Sequence, residues 1–326
     1  MYNAYEESGK QVEVVVVQPN IDPYNEKFDG LPDEQQVDRL INLGLKEITN
    51  ETDFLVAPET ALPSGYWENE IKTYFWYDRF KALTDTFPNL NIVSGLSSYQ
   101  AYENFSEAPT PTARPFNDGS GWYDAYNSSI LINNANEGEI YHKSKLVLGV
   151  ERLPFAWLLK PLENFALDLG GTVGSLGTQK EPTVFQSNNH VNFGTAICYE
   201  SGYGEYFSDF VKKGAEIMFV ITNDGWWEDT PGYKQHLSFS KLRAIETRRS
   251  IARSANTGIS AFINQKGEIL KSTNWWEQAV IKSKLYLNNK QTFYTKHGDM
   301  IGRIASFLAV LMLLYSWVLK YKSNLI

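Results

Sequence analysis

Seven short runs of branched and aromatic residues recur along the first 264 positions, and they constrain the fold more tightly than any other feature of this chain. They are VEVVVVQ (12–18), DFLVAPE (53–59), NIVSGLSS (91–98), NSSILIN (127–133), VNFGTAIC (191–198), AEIMFVITN (215–223) and GISAFIN (258–264). Runs this short, bounded by Gly, Pro or Asn, read as strands buried on both faces. Helical patterns lie between several of them. After Pro32 and Asp33, which suit a helix start, Val37, Ile41, Leu45 and Ile48 repeat at spacings of four, four and three. A second helix is expected from Gly204 to Lys213, with Phe207, Phe210 and Val211 inward and Gly214 as its stop, and a third from Tyr233 to Arg249. Such alternation predicts a single α/β domain in which helices cover a sheet.

Two segments break the alternation. Residues 101–126 are rich in Pro, Asn, Ser and aromatics, and residues 150–180 join LPFAWLLKPLENFAL to the glycine-rich GGTVGSLGT. Long irregular connections inside a domain often carry a site or a lid. Phe155, Trp157, Leu158 and Leu159 are therefore either ordinary core or an apolar lid facing a substrate or a membrane. With 43% apolar and 14% aromatic residues the chain can fill a substantial core. A formal net charge of −8 and a pI near 5.2 leave no basic stripe, so a nucleic-acid partner is not expected.

The tail differs in kind. IGRIASFLAVLMLLYSWVL (301–319) would rise about 28 Å as a helix, close to the apolar thickness of a bilayer. Arg303 near one end can snorkel, and Tyr315 and Trp317 near the other suit a membrane interface. Basic residues flank both ends (Lys290, Lys296 and Arg303 before, Lys320 and Lys322 after), so the span alone does not set its orientation. The start, MYNAYEESGK, has neither the basic opening nor the apolar stretch of a signal peptide.

Cys198 is the only cysteine, which excludes an internal disulfide and any multi-cysteine zinc site. By itself it reads as a small buried hydrophobe. Its place just past a strand end, however, is where α/β sheets bind ligands, and a following helix start can lower a thiol's pKa. An unperturbed thiol is only slightly ionised at neutral pH and needs a partner. None of the four histidines has zinc-ligand spacing, and a Cys–His pair through His142 or His236 stays open. Glu59 and Lys143 are better placed, each at the end of a strand-like run, although either alone reads as a surface charge.

Taken in order, APET with Glu59, YHKSKL with Lys143 and ICYES with Cys198 resemble the nitrilase or carbon–nitrogen hydrolase superfamily and its Glu–Lys–Cys triad. The likeness continues through TNDGWW (222–227) and RAIETRRSIARSANTGISAFINQKGEI (243–269), so it covers nearly all of the chain before the tail. It implies a four-layer αββα sandwich, with Glu59 as general base and then acid, Lys143 as cationic stabiliser, Cys198 as the nucleophile that forms a thioester, and no cofactor or metal. QPNID (18–22), PETALPSG (58–65), CYE and the apolar tail most resemble the branch of bacterial apolipoprotein N-acyltransferases. That branch implies a phospholipid acyl donor, a diacylated apolipoprotein acceptor and an inner-membrane location. The catalytic domain would then lie on the periplasmic or outer face, with Lys320 and Lys322 in the cytoplasm. Glu151, Tyr199 and Glu200 match its supporting or substrate-binding positions, although Glu151 alone reads as a surface charge and the other two as a buried hydroxyl and a helix-start carboxylate. A nitrilase-like amidase, and a silent membrane-anchored binding module, are the rival readings.

Departures from the branch are specific. Lys145 stands where a histidine usually follows the lysine, LGVERLP replaces PFGEYVP, and Phe28 is the nearest match to an expected tryptophan. The several N-terminal spans of the branch have no counterpart, so the sequence is expected to be a fragment. The expected layout is a catalytic domain over 1–288, a linker over 289–300, a transmembrane helix over 301–319 and a tail over 320–326.

Overall fold

In the computed structural model, which describes residues 5–27, 30–103, 105–135, 137–152 and 175–323, the first apolar run becomes β1 (Gln11–Gln18), buried at every position but Gln11. Side chains alternate across a strand. Val12, Val14 and Val16 accordingly enter one core, and Val15 and Val17 the other. This explains why the run shows no polar alternation: both faces are covered.

The first sheet has eight strands. From β1 the chain passes through α1 (Asp33–Gly44) to β2 (Phe54–Val56) and β3 (Leu62–Trp67), then through α2 (Phe75–Thr86) to β4 (Asn91–Glu103). It continues with β5 (Arg114–Pro115), β6 (Gly121–Ile132) and β7 (Glu137–His142). β1, β2 and β4 are parallel, β6 returns antiparallel against β4, and β3 and β7 extend the sheet from β4 and β6. The second sheet has six strands: β8 (Val184–Gln186), β9 (Asn192–Ile197), β10 (Ile217–Thr222), β11 (Ile251–Ala255), β12 (Ala261–Ile263) and β13 (Ile269–Ser272). β9, β10 and β11 form its parallel centre. β14 (Ala279–Tyr286) crosses back to pair antiparallel with β1.

The two sheets pack face to face through Val56 and through Phe54, Phe193 and Phe219, the three rings meeting edge to face or tilted at 5.0–5.2 Å. α1 and α2 cover the outer face of the first sheet with Val37, Leu40, Trp76 and Phe80. α3 (Gly204–Lys212) and α4 (Gly232–Thr247) cover the second with Phe207, Phe210, Leu237 and Ala244. The result is the four-layer αββα sandwich.

Expected elements shift in places. Residues 101–126 are less irregular than their composition suggests, because β4 and β6 pair as far out as Glu103 and Gly121. There Trp67, Tyr99, Phe116 and Tyr123 pack ring against ring, with Phe116 and Tyr123 stacked, and take the role of a core. β11 was not among the seven runs, since it carries Arg253 and Ser254 in the sheet interior, both fully buried. After β14 the short α5 (Phe293–His297) leads into α6 (Met300–Ser323). Its stretch Met300–Tyr321 has a mean hydropathy of 1.8 and is long and apolar enough to cross a membrane. Its apolar side chains are exposed along its length, so it is not a core helix of this domain. The apolar segment 153–166 and Phe28 lie outside the described residues.

Candidate active site

Four strands end at one place, and each hands over a polar residue there. β2 stops at Val56 and the chain turns through Ala57 and Pro58 to Glu59. β7 ends one residue before Lys143, β9 one before Cys198, and β10 one before Asn223. Two left-handed residues make the turns: Thr60 (φ 46°), just after Glu59, and Cys198 itself (φ 52°). Such a backbone is strained for a residue with a side chain and is held only where its surroundings over-determine it.

Glu59 and Lys143 meet directly. The Lys143 ammonium donates to Glu59 Oε1 at 3.0 Å and to Glu151 Oε1 at 2.8 Å. The Lys143 side chain is 1% exposed, and those of Glu59 and Glu151 are 7% and 12%. Asn127, whose carbonyl accepts from the Lys143 backbone N–H, sends its side-chain amide to the same two carboxylates at 2.8 and 2.9 Å. The backbone N–H of Asn223 donates to Glu59 Oε2 at 3.0 Å, and that of Val147 to Glu151 Oε2 at 2.8 Å. A further buried amine, Lys27, donates to the Glu59 carbonyl at 3.2 Å.

Electrostatics follow from this wiring. Burial alone would raise the Glu59 carboxyl, but the Lys143 ammonium and the Asn127 amide hold it below its ordinary value, so it stands ionised. Burial works against charge on Lys143, yet Glu151 and Glu59 keep it a firm cation. Burial lowers Lys27 to about 8. The Cys198 thiol is pushed well up by burial and by Glu59, against the pull of Lys143 and a hydrogen bond from Thr222. This corrects the expectation that the turn after β9 lowers the thiol. Cys198–Gly202 is a short 3-10 turn, not the start of a long helix, and desolvation beside a carboxylate dominates. Cys198 nevertheless remains partly exposed.

Glu200 is buried, and its carboxylate accepts from the backbone N–H groups of Ile197 (2.8 Å), Ser144 (2.6 Å) and Lys145 (3.2 Å) and from the Tyr141 hydroxyl (2.7 Å). Burial pushes it up to about 7 against those bonds. It clamps the lysine-bearing strand end to the cysteine-bearing one, with no oxygen left over for a ligand. Tyr199, by contrast, is exposed and meets the exposed Tyr203 edge to face at 5.6 Å.

The histidines take other roles than partner to the thiol. His142 bonds Glu68 at 2.7 Å and stacks on Tyr126. His236 Nε2 lies 2.9 Å from the Cys198 carbonyl oxygen, and its Nδ1 lies 2.8 Å from Asp224 Oδ1. Asn127, Asn223, Lys27, Asp224 and Arg253 were not singled out from the sequence, and His236 stood there only as an open partner for the thiol. The available signal was polar residues at the ends or in the middle of apolar strands, as in NSSILIN, VITND and IARSA.

The profile of the carbon–nitrogen hydrolase family matches residues 14–293. An apolipoprotein N-acyltransferase from Chlorobaculum tepidum is 32% identical over 324 residues, covering 97% of this chain and 59% of that protein. One from Geobacter metallireducens is 28% identical over 297 residues, covering 91% and 52%. The chain thus spans between about half and three-fifths of the length of these curated relatives. Among solved structures, Saccharomyces cerevisiae Nit3, a member of branch 10 of the nitrilase superfamily, superposes with a TM-score of 0.58 at 16% identity, covering 87% of this chain and 93% of the other. A mutant of the Nesterenkonia AN1 amidase of the same superfamily superposes at 0.57 and 14% identity, covering 91% and 97%. At such identities the likeness concerns the fold.

Proposed function

This chain belongs to the carbon–nitrogen hydrolase family, and from that premise we propose that it is the catalytic part of an apolipoprotein N-acyltransferase, working through a thioester on Cys198. The observation that carries the reading is the fully connected Glu59–Lys143–Glu151 cluster, whose Glu59 and Lys143 charges act on the sole thiol, in a chain whose curated relatives bear that name.

In the proposed first half-reaction Glu59 takes the Cys198 proton as sulfur attacks the sn-1 ester carbonyl of a membrane phospholipid. The S–C bond forms, the ester C–O bond breaks, and Glu59 returns the proton to the departing lysophospholipid oxygen. A raised thiol and an ionised carboxylate suit this order, because the proton leaves sulfur only as the nucleophile is used. Lys143, held cationic, stabilises the oxyanion of the tetrahedral intermediate. In the second half-reaction the α-amine of a diacylglyceryl-cysteine attacks the thioester, its proton passes through Glu59 to the leaving thiolate, and an amide results. Glu151 and Asn127 hold Lys143 and Glu59 in register, Glu200 supports the turn, and the exposed Tyr199, next to Cys198 along the chain, would meet the acceptor. The proposed layout is a catalytic domain over 1–288, a linker over 289–300, a membrane span over 301–319 and a tail over 320–326. Its setting is the bacterial inner membrane, with the domain on the periplasmic or outer face.

The test uses the full chain in detergent with phospholipid labelled in the sn-1 acyl chain. A labelled thioester on Cys198 is expected, absent in Cys198→Ala and Glu59→Gln, and discharged by a diacylated lipopeptide that gains one acyl mass. Label retained in Cys198→Ala, or ammonia released from a small amide with no lipopeptide gain, would overturn the reading, the latter in favour of an amidase.

A further inference from the structure

The segment that joins Lys143 to Glu151 carries a second lysine, which the proposed mechanism does not use. Lys145 stands where the branch usually has a histidine. Its backbone N–H donates to Glu200 Oε1 at 3.2 Å, beside the bond from Ser144, so its backbone is tied to the turn that carries Cys198. Its half-buried side chain lies over Tyr206, in the first turn of α3, with Nζ 4.9 Å from the ring centre. That ring is itself fixed, because its hydroxyl bonds both Tyr141 (2.6 Å) and Ser144 (2.5 Å) and the residue is buried.

The ammonium thus has a fixed aromatic seat and, among the described residues, no carboxylate partner. The acidic groups around it are engaged elsewhere. Both Glu200 oxygens are taken by backbone N–H groups and by the Tyr141 hydroxyl. Asp209, the other carboxylate that acts on Tyr206, accepts from Lys212 at 2.8 Å, and Glu205 accepts from Arg303. Glu151 is bonded by Lys143, Asn127 and Val147. A ring face attracts a cation but offers it no lone pair, so the ammonium protons are left for water or for a ligand.

The neighbours along the chain say which ligand fits. Before Lys145 comes Lys143 with its Glu59 partner, where the proposed ester is cleaved. After it, Leu148 and Val150 are 67% and 48% exposed. The order is an oxyanion stabiliser, a cation with no anion, and a bare apolar loop. A glycerophospholipid has the matching parts: an ester, a phosphate set apart from it by the glycerol carbons, and apolar chains.

We propose that Lys145 is a specificity-determining residue that receives the phosphate of the acyl donor, so that the donor is selected by its charge as well as by its chains. The proposal rests on the reading of the chain as a phospholipid-dependent acyltransferase and names the donor group recognised. The phosphate is a spectator to the chemistry, since no bond to it forms or breaks.

Non-cleavable donors test it on the full chain in detergent. A dialkyl ether phosphatidylglycerol cannot acylate Cys198, but once bound it should shield that sole thiol from iodoacetamide. The dialkyl ether glycerol, which is the same lipid without its phosphate headgroup, is the control. In the wild type the phospholipid is expected to half-protect at a concentration about tenfold below that of the control, the gain from one charge-assisted hydrogen bond. Lys145→Met is expected to abolish this advantage and leave the control's value unchanged. Lys145→Arg, which keeps the cation, is expected to restore most of it, a rescue that a purely structural lysine does not predict. No protection by either lipid, equal protection by both in the wild type, or an advantage that survives in Lys145→Met overturns the proposal. Equal protection by inorganic phosphate alone does so too, because it would mark a site for free anions. Lysine-dependent shielding in a chain that forms no thioester from ester phospholipids would sink the proposed function and leave this inference standing. Thioester formed equally by wild type and Lys145→Met, with no difference in shielding, would do the reverse.

Discussion

Replacing Lys143 by Met tests the wiring of the site through stability rather than activity. The substitution keeps the volume of the stem and removes a cation that two carboxylates share while almost fully buried. Breaking one buried pair typically costs about 3–5 kcal/mol, because a charge is left behind without its partner. Here Glu59 keeps the Asn127 amide and the Asn223 N–H, and Glu151 keeps the Asn127 amide and the Val147 N–H. Those remaining donors place the expected loss at the lower end, about 3 kcal/mol at pH 7. The pH dependence carries the sharper test. In the wild type the Glu59 carboxyl is held below its unfolded value of about 4.3, so its contribution is present above that pH and lost as the pH falls through the folded value. Without the ammonium, burial dominates and the folded value rises above the unfolded one. The contribution then is complete below about pH 4.3 and lost as the pH rises. Urea unfolding of both chains in detergent, followed by tryptophan fluorescence, should show a gap that narrows from pH 7 to pH 4 by at least about 1.4 kcal/mol, a tenfold change in the folding equilibrium. A gap under about 1 kcal/mol at pH 7, or one that widens on acidification, would refute the shared-cation account.

Gly95 packs under the Glu59 turn, where an added Cβ would lie 2.5–2.6 Å from Thr60 N, Glu59 Cα and Pro58 O. Gly95→Ala is therefore expected to cost about 1–3 kcal/mol in thermal or urea unfolding and to lower thioester formation. Glu200→Gln sets an amide donor against at least one of the four donors that the carboxylate now satisfies. A loss of about 1–3 kcal/mol by urea unfolding is expected, and a loss below about 0.5 kcal/mol would contradict the clamp. Lys27 titrates at about 8 in the folded chain against about 10.4 unfolded, so it disfavours folding at neutral pH and this penalty fades as the pH climbs between those values. Relative to Lys27→Met, the wild type should gain up to about 3 kcal/mol across that window, and a flat difference in urea midpoints would show the amine to be solvated.

How much of this was legible in the sequence depends on whether a residue's neighbours along the chain are also its neighbours in space. β1 and β10 were readable because four consecutive valines in one and five consecutive apolar residues in the other leave no polar face, and β9 because Phe193, Ala196 and Ile197 come in a short run bounded by Asn192 and the thiol. α1 and α3 begin where expected, at Asp33 and Gly204, but the spacing misjudged the inward face of α1: the helix ends at Gly44, Leu45 is exposed, Ile48 lies beyond it, and Val37, Leu40 and Leu43 are the buried apolar residues. β11 was hidden because its interior positions hold Arg253 and Ser254, whose polar atoms are satisfied by Asp224, Ile259 and, through Ser254, the Val17 carbonyl. None of those partners is adjacent along the chain. The same holds for Asn127, whose two carboxylate partners are 68 and 24 positions away. A lone polar residue heading a strand carries no sign of what it will meet. Glu59, Lys143 and Cys198 could be grouped only through the family resemblance, since each taken singly has an ordinary surface or core explanation.

The apolar tail is tied to the segment that carries Cys198. α3 begins two residues after the turn that carries Cys198, and its first-turn Glu205 accepts both Arg303 at 2.6 and 2.7 Å and the backbone N–H of Asp299 at 3.1 Å. Arg243 bridges inward from α4 to the Gly202 carbonyl at 3.3 Å. The Arg303–Glu205 pair is exposed, and in water such a pair contributes little. Its importance is geometric. Arg303 lies at the start of a helix whose apolar side chains are otherwise unburied, so the residue at the head of the proposed span is bonded to the helix that follows Cys198. A span entering a bilayer at that point, as proposed, would fix the height of Cys198 above the lipid. An enzyme whose proposed donor cannot leave the bilayer requires that height to be set, because the ester carbonyl has to reach a thiol held on a rigid turn. Arg303→Ala is accordingly expected to leave iodoacetamide alkylation of Cys198 unchanged while slowing thioester formation from phospholipid vesicles more than from a short-chain soluble ester. Equal slowing with both donors would show that the contact serves the fold of α3 and not the approach to the membrane.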